Sequence, residues 1–463
     1  RDQPRSRGLG DVYKRQSPAL YNMLLYRSYH GRAERWEVRE DMYDKLEGAF
    51  GRMPIVIQLG DFLQLRPTAG VSLLDSIETL VSRRSCRSSD KPPEVPPEFQ
   101  MASKLFRQTP LCFELRATKR FEDPRLARLM AFMRAPEKKL PDDVRSFWRA
   151  MQAKEGVEQP DPRLLENRFQ TGHMLAIYWE TCGRWVMMRA RRDAAALKTP
   201  LFLLQAADTV TPRMDRQTTA KLLNDFNPHN TGHMHGMLPV HLGMRVRLLA
   251  PLDKQKSLVQ EAEGVVVHVA VNPKDQDRVD AAFAEDSPTA PLYLEHVPLG
   301  IWVRFDTYTG APFKHELGVT DPSLTGSLTE SLVFVEPTQT KEAFEWRRQW
   351  KVMRWGFPLS HACVRTSTSC QGETLRGGVL IDCERKAEYC DAPNWWLHLY
   401  VMLSRATSLD DLLLLRAPEP EFLLQGPPQD LQKQLKIFAK RVEACRVTAT
   451  QLAKELGLEC FLR

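Results

Sequence analysis

Gly60-Asp61-Phe62-Leu63-Gln64-Leu65-Arg66-Pro67 follows directly on the apolar run Ile55-Val56-Ile57-Gln58-Leu59. A short, nearly uninterrupted apolar run rich in β-branched residues reads as a strand buried on both faces, as in a parallel sheet. Its end delivers Asp61 and Gln64 beyond the carboxyl edge of the strands, where open α/β sheets bind their ligands. A neutral amide can donate to a phosphate oxygen and accept from a water at once, so Gln64 suits a group that reports phosphoryl transfer. The plainer reading is a Gly-Asp turn that caps the next helix.

More than three hundred residues later comes Tyr400-Val401-Met402-Leu403-Ser404-Arg405-Ala406-Thr407-Ser408. Its pattern predicts a helix over 394–407 whose polar edge carries Arg405, followed by a strand over 411–416. An arginine held there neutralises charge that builds on a transferred phosphoryl group; a surface arginine on an amphipathic helix is the alternative. Together the two stretches resemble motifs III and VI of the PIF-like and RecD-like helicases of superfamily 1. Arg120, in Thr118-Lys119-Arg120-Phe121, resembles the arginine of motif IV, which in that family also reaches the γ-phosphate. Thr366-Ser367-Thr368-Ser369-Cys370-Gln371-Gly372-Glu373-Thr374 resembles motif V and keeps Thr366, Gln371, Gly372 and Thr374 of its pattern. Thr368-Ser369 stand where the family has a His-Lys pair. Hydroxyls and helix-end amides still bind phosphate, without the cation that strengthens the contact.

The resemblance implies an α/β fold: RecA-like parallel sheets, part of a first lobe and a second lobe, with a small β-barrel inserted. It casts Gln64, Arg120 and Arg405 as catalytic and Gly60, Asp61, Gln371 and Gly372 as nucleotide-binding. Thr366, Thr368, Ser369 and Thr374 fall to the DNA backbone. ATP and Mg2+ are the implied cofactors and single-stranded DNA the implied partner. The expected polarity is 5′→3′, and the expected compartment is the nucleus, with mitochondrion or cytoplasm as alternatives.

The 463 residues suffice for two or three domains. Lys and Arg exceed Asp and Glu by 65 minus 58, or +7, a basic excess that favours a polyanionic partner only mildly. The nine cysteines lie singly, with no Cys-x-x-Cys pair, which argues against a zinc knuckle and for reduced core thiols. No apolar stretch approaches the ~20 residues of a membrane span. Neither a Gly-Lys nor an Asp-Glu dipeptide occurs, so the chain has no phosphate-loop lysine and no acidic magnesium pair of the family's kind. Residues 1–16 read as a non-native leader, and the expectation is a chain truncated ahead of residue 17.

Periodicity predicts helices within 17–50, a strand over 54–59 and a Pro/Ser-rich exposed loop over 82–98. A strand over 111–115 precedes a helix with Leu126, Leu129, Met130 and Met133 on one face. The first lobe is expected over 17–110 and the second over 111–240 and 341–425. The inserted module takes 241–340, with exposed loops over 270–292 and 308–328. A helix over 359–369, a buried strand over 379–382 and a terminal helix from 428 complete the expectation.

Two further stretches carry alternatives. Trp346-Arg347-Arg348-Gln349-Trp350-Lys351-Val352-Met353-Arg354-Trp355 suits stacking on bases beside phosphates; a sheet edge with inward-packed tryptophans is the bland reading. His229, His233 and His235 have the residue type of zinc ligands, but their Gly/Asn/Pro surroundings read as a solvated loop. The whole is either part of an ATP-driven helicase or a non-catalytic nucleic-acid-binding remnant of one, derived from a mobile element.

Overall fold

The computed structural model describes residues 61–65, 112, 114, 120–154, 161–284, 291–310 and 332–455. The expected leader, the helices over 17–50, the strand over 54–59 with Gly60, the loop over 82–98 and most of the 111–115 strand lie outside the described residues. The chain divides into two compact units, one of residues 1–171 and 367–463, the other Gly172–Thr366.

The first unit opens with helix α1 (Pro124–Arg134), started by Asp123, whose carboxylate accepts from Arg125 N, and by Pro124 in the first turn. Its buried stripe, Leu126, Leu129, Met130, Phe132 and Met133, matches the predicted face. Helices α2 (Asp142–Met151) and α3 (Asn167–Thr171) follow.

The second unit begins with β1 (His173–Ala176), α4 (Trp179–Ala196), β2 (Phe202–Gln205), β3 (Ala207–Thr211) and α5 (Arg216–Leu223). Next come β4 (Met237–Val240), β5 (Arg245–Leu248), β6 (Glu263–Ala270), α6 (Gln276–Ala284), β7 (Leu292–Tyr293), β8 (Gly300–Phe305) and β9 (Leu332–Val335). Short strands end it: β10 (Thr338–Gln339), β11 (Phe344–Trp346), β12 (Trp350–Gly356), β13 (Leu359–His361) and β14 (Val364–Thr366).

The inserted module is an antiparallel five-stranded sheet in the order β13-β5-β6-β8-β9. Val246, Leu248, Val266, Ile301, Val303, Val333, Val335 and Leu359 share its core. The sheet's last strand lies beyond residue 340, after an excursion through β10–β12. Gly264 sits inside β6 rather than in a turn, and a Cβ there would lie 2.5 Å from the Arg304 carbonyl oxygen, so the close strand approach needs glycine. β1 and β14 pair in parallel, with Met174 beside Val364 and Ala176 beside Thr366.

The chain then returns to the first unit with β15 (Val379–Asp382), α7 (Ala392–Leu403), β16 (Leu412–Leu415) and α8 (Gln429–Glu455). β15 and β16 are parallel, and Gln152 bridges to Leu414. Helix α7 is buried along nearly its whole length, as expected of a helix apolar on every side.

Several expectations are corrected. Residues 359–369 form β13, β14 and a turn, not a helix: Val364 and Thr366 are β-branched, and pairing with β5 and β1 outweighs the helical spacing. Helix α7 ends at Leu403, so Arg405 lies just beyond it and is buried, not on a polar edge. The 270–292 stretch contains α6, preceded by a turn in which Asn272 accepts from Lys274 N. Strand β12 is no sheet edge: β3 pairs along one side, β10 and β11 along the other. His235 is buried against Phe226, with ring centroids 5.1 Å apart, and does not sit in a solvated loop.

Candidate functional site

Residues 61–65 form a tight turn in the first unit. Asp61 Oδ1 accepts from Leu63 N at 3.0 Å and Asp61 O from Gln64 N at 3.3 Å, while Leu63 and Leu65 are buried and anchor it. Asp61 therefore fills the local turn role that the sequence allowed. The same carboxylate also acts electrostatically on Arg120, Arg134, Tyr400 and Arg405. Gln64 Oε1 accepts from Gln371 Nε2 at 2.8 Å, joining residues 307 apart in sequence. The amide nitrogen of Gln64 donates to no described residue and stays available to an acceptor. Gly372, beside Gln371, has φ +91°, a conformation that favours glycine.

Arg120 is half-buried. Its Nε donates to Thr374 Oγ1 and its Nη1 to the Ser404 carbonyl, both at 3.1 Å. The backbone beside it is knitted to the turn after α7. Glu122 N and Asp123 N donate to Thr407 O at 3.0 and 3.3 Å, and the Asp123 carboxylate accepts from Ser408 Oγ and Leu409 N. Burial opposes the charge on Asp123, yet its bonds to Arg125 and Leu409 hold the carboxyl down at about 2. The capping residue of α1 thus fixes the register of the segment that carries Arg405.

Arg405 is 2% exposed. Its Nε donates to Val401 O at 2.9 Å, Nη1 to Glu373 O at 3.2 Å and Nη2 to Ser404 Oγ at 2.6 Å. All its acceptors are neutral. Burial, then the like charge of Arg120, draws its pKa down to about 10. Tyr400 is pushed up to about 12 by burial and then by Asp61, and its hydroxyl accepts from Arg134 Nη1 at 3.2 Å. Arg134 is raised despite its burial, because Tyr400 and Asp61 favour its charge. Three guanidinium groups share Asp61, with Glu114 acting on Arg134 as well. An anion entering this cluster would relieve the mutual repulsion of Arg120 and Arg405.

Gln64, Arg120, Arg405, Asp61 and Gln371 thus occupy one neighbourhood of the first unit, with Gly372 adjacent; Gly60 lies outside the described residues. Thr374, expected on the DNA track, is exposed but spends its hydroxyl on Arg120. Thr368 is exposed and Ser369 half-buried, whereas Thr366 is buried at the end of β14 in the other unit. Arg134 and Tyr400 were missed as site residues. Tyr400 lies inside the quoted stretch, but nothing in the sequence joins it to Arg134. Ser367 and His398 form a further pair, Oγ to Nδ1 at 2.7 Å, with His398 drawn down to about 4 by burial. Among the described residues no cluster of His, Cys, Asp or Glu is arranged to hold a metal ion.

No protein-family model and no curated protein matches the sequence. Solved structures do. The structure of DNA unwinding at forked double-stranded DNA by two coordinating Pif1 helicases is 14% identical, covers 95% of this chain and 79% of that chain, and has a TM-score of 0.50. The Pif1 helicase from Candida albicans is 18% identical over 91% of this chain and 74% of its own, with a TM-score of 0.44. The Pif1 helicase from Bacteroides in complex with ADP-AlF3 and ssDNA is 15% identical over 91% and 72%, with a TM-score of 0.47. The likeness at 0.50 shows the fold alone, a mixed α/β architecture with RecA-like parallel sheets.

Proposed function

We propose that this chain is the carboxyl-terminal part of an ATP-dependent helicase that translocates on single-stranded DNA, 5′→3′ as in the family its motifs resemble. One observation carries the reading. Residues recognised separately, in the order Gln64, Arg120, Gln371 and Arg405, converge on a neighbourhood where, among the described residues, arginines outnumber the carboxylate they share. A γ-phosphate is the anion such a cluster suits. Gln64 would orient the attacking water through its unengaged amide. Arg120 and Arg405 would meet the charge that develops as the phosphoryl group leaves, an effect that exists mainly in the transition state.

Magnesium does not fit the described residues alone. Asp61 is a single carboxylate already shared by three arginines, so it supplies no ligand set. The phosphate cradle and its lysine would have to come from residues outside these 463. The chain by itself is therefore expected to bind single-stranded DNA and to leave ATP essentially unhydrolysed, because positioning the phosphates is most of this chemistry. Fluorescence anisotropy with a labelled oligothymidine, beside an ATP turnover assay on the same protein, tests both. Brisk DNA-stimulated turnover would refute the missing-cradle argument, and no measurable single-strand binding would refute the helicase reading.

A further inference from the structure

The second unit carries a face that the nucleotide site does not use. Strand β12 alternates cleanly. Trp350, Val352 and Arg354 turn inward, where Val352 packs with Trp346 and Leu222. Arg354 is held by Asp208 through two bonds of 2.7 Å. Lys351, Met353 and Trp355 turn the other way.

On that outer face the neighbours across the ladder are small. Trp355 stands opposite Ala207, Met353 opposite Thr209 and Lys351 opposite Thr211. On the other flank Trp355 faces Gln339. The Trp355 ring is 49% exposed, and its side chain makes no hydrogen bond, ring contact or cation contact with any described residue. A half-exposed tryptophan in a paired strand, flanked by Ala207 and Gln339, is a flat platform held at a fixed place in the sheet. Towards the β11–β12 turn the same sheet becomes basic. Lys351, Arg347 and Arg348 are exposed there, with Arg213 just past the end of β3 and Glu345 opposite Lys351. Arg347 lies over the ring of the buried Trp346, 4.5 Å from its centroid, so this turn is partly ordered around its own aromatic.

An aromatic face for a base, with cations four residues further along the strand, is the chemistry of a single-strand platform. Lys351 and Trp355 are about 13 Å apart by the rise of a strand, within reach of one bound oligonucleotide. We infer that the outer face of β3 and β12 binds single-stranded DNA, with an unpaired base stacked on Trp355 and flanking phosphates met by Lys351 and Arg348. The inference rests on the proposed function and assigns it a contact in the second unit, outside the motif-bearing segments.

The test uses the whole 463-residue chain and a labelled oligothymidine titrated by anisotropy at several salt concentrations. Trp355→Ala should weaken single-strand binding about ten-fold, as the loss of one base stack does. Trp355→Phe should restore most of it. Lys351→Ala should lower the log-log salt slope by about one unit, the signature of one lost phosphate contact. A duplex of equal length should be indifferent to Trp355→Ala, because its bases are not free to stack. Tight single-strand binding by the parent chain, unchanged in Trp355→Ala, would overturn this inference and leave the proposed function standing. Absence of binding by the parent chain would remove both. Equal losses for duplex and single strand, or a changed sedimentation coefficient with unchanged binding, would also overturn it, the latter pointing to a second copy of the chain on this face.

Discussion

Two groups of arginines in this molecule are built to opposite electrostatic rules. In the second unit Arg354 is fully buried and meets Asp208 in a two-pronged pair. Nearby strands carry Arg245, Arg247 and Arg365 against Glu261, Glu263 and Asp306, three charges against three. In the first unit Arg405 is as deeply buried but bonds only to carbonyl and hydroxyl oxygens, and it repels Arg120. The first arrangement balances its charges within itself, as buried charges normally must, although Arg247 Nε and Nη2 meet no hydrogen-bond partner among the described residues. The second, among the described residues, holds more positive than negative charge, an excess that an incoming anion would relieve. Burial is common to the two groups; the balance of charge around the guanidinium is what separates them.

The largest expected effect breaks the balanced side. Arg354→Met leaves Asp208 buried without its cation and should cost about 3–5 kcal/mol of stability in urea unfolding. The double change with Asp208→Leu should recover most of that loss. If Arg354→Met cost no more than an ordinary surface change, the neutral pairing would not be what holds these strands together.

A smaller effect separates the units by pH. His173 is drawn down to about 4, and His235 and His361 to about 3, each chiefly by burial in the second unit. A histidine with a depressed folded pKa stays neutral in the native state while the unfolded chain takes up a proton. The stability it contributes is therefore present above about pH 6.5 and is lost as pH falls towards 3–4. His398, also near 4, is the one histidine among the described residues of the first unit to contribute in this window. Hydrogen exchange at pH 7 and 4.5, corrected for intrinsic rates, should show opening free energies falling more in β5, β6 and β8 than in α7. A uniform fall would contradict the assignment.

The smallest effect sharpens the unbalanced side. Changing Thr368 and Ser369 to His and Lys adds a cation near the expected DNA path and should steepen the salt dependence of single-strand binding by about one log-log unit. Parallel slopes for the two proteins would take this turn off the DNA track.

In the sequence the candidate residues were easier to single out than the local structure that holds them. Gln64, Arg120, Gln371 and Arg405 were found because their neighbours form rare spacings, and the structure brings them together. The local structure around them was harder to read. The helix expected over 359–369 is two strands because its outcome is decided by partners, β5 and β1, that lie far away in sequence. Arg405 was expected on a polar edge because charge in a helical pattern usually faces water; the tie between Asp123 and the 407–409 backbone, which sets its position, leaves no periodic trace. Trp346, Arg354 and Trp355 belong to one run of alternating aromatics and cations. Only the register of β3, β10 and β11 against β12 decides which of them turn inward.

The central claim is that Arg405 is held for a phosphoryl group and not for the fold. Steady-state ATP hydrolysis on single-stranded DNA, by a form that carries a Gly-Lys phosphate loop ahead of these residues, tests it most directly. Arg405→Ala should lower kcat by ~10³ or more, with KM for ATP changed far less, because the lost stabilisation belongs to the transition state. An Arg405→Ala protein that hydrolyses ATP at the parent rate would contradict the account.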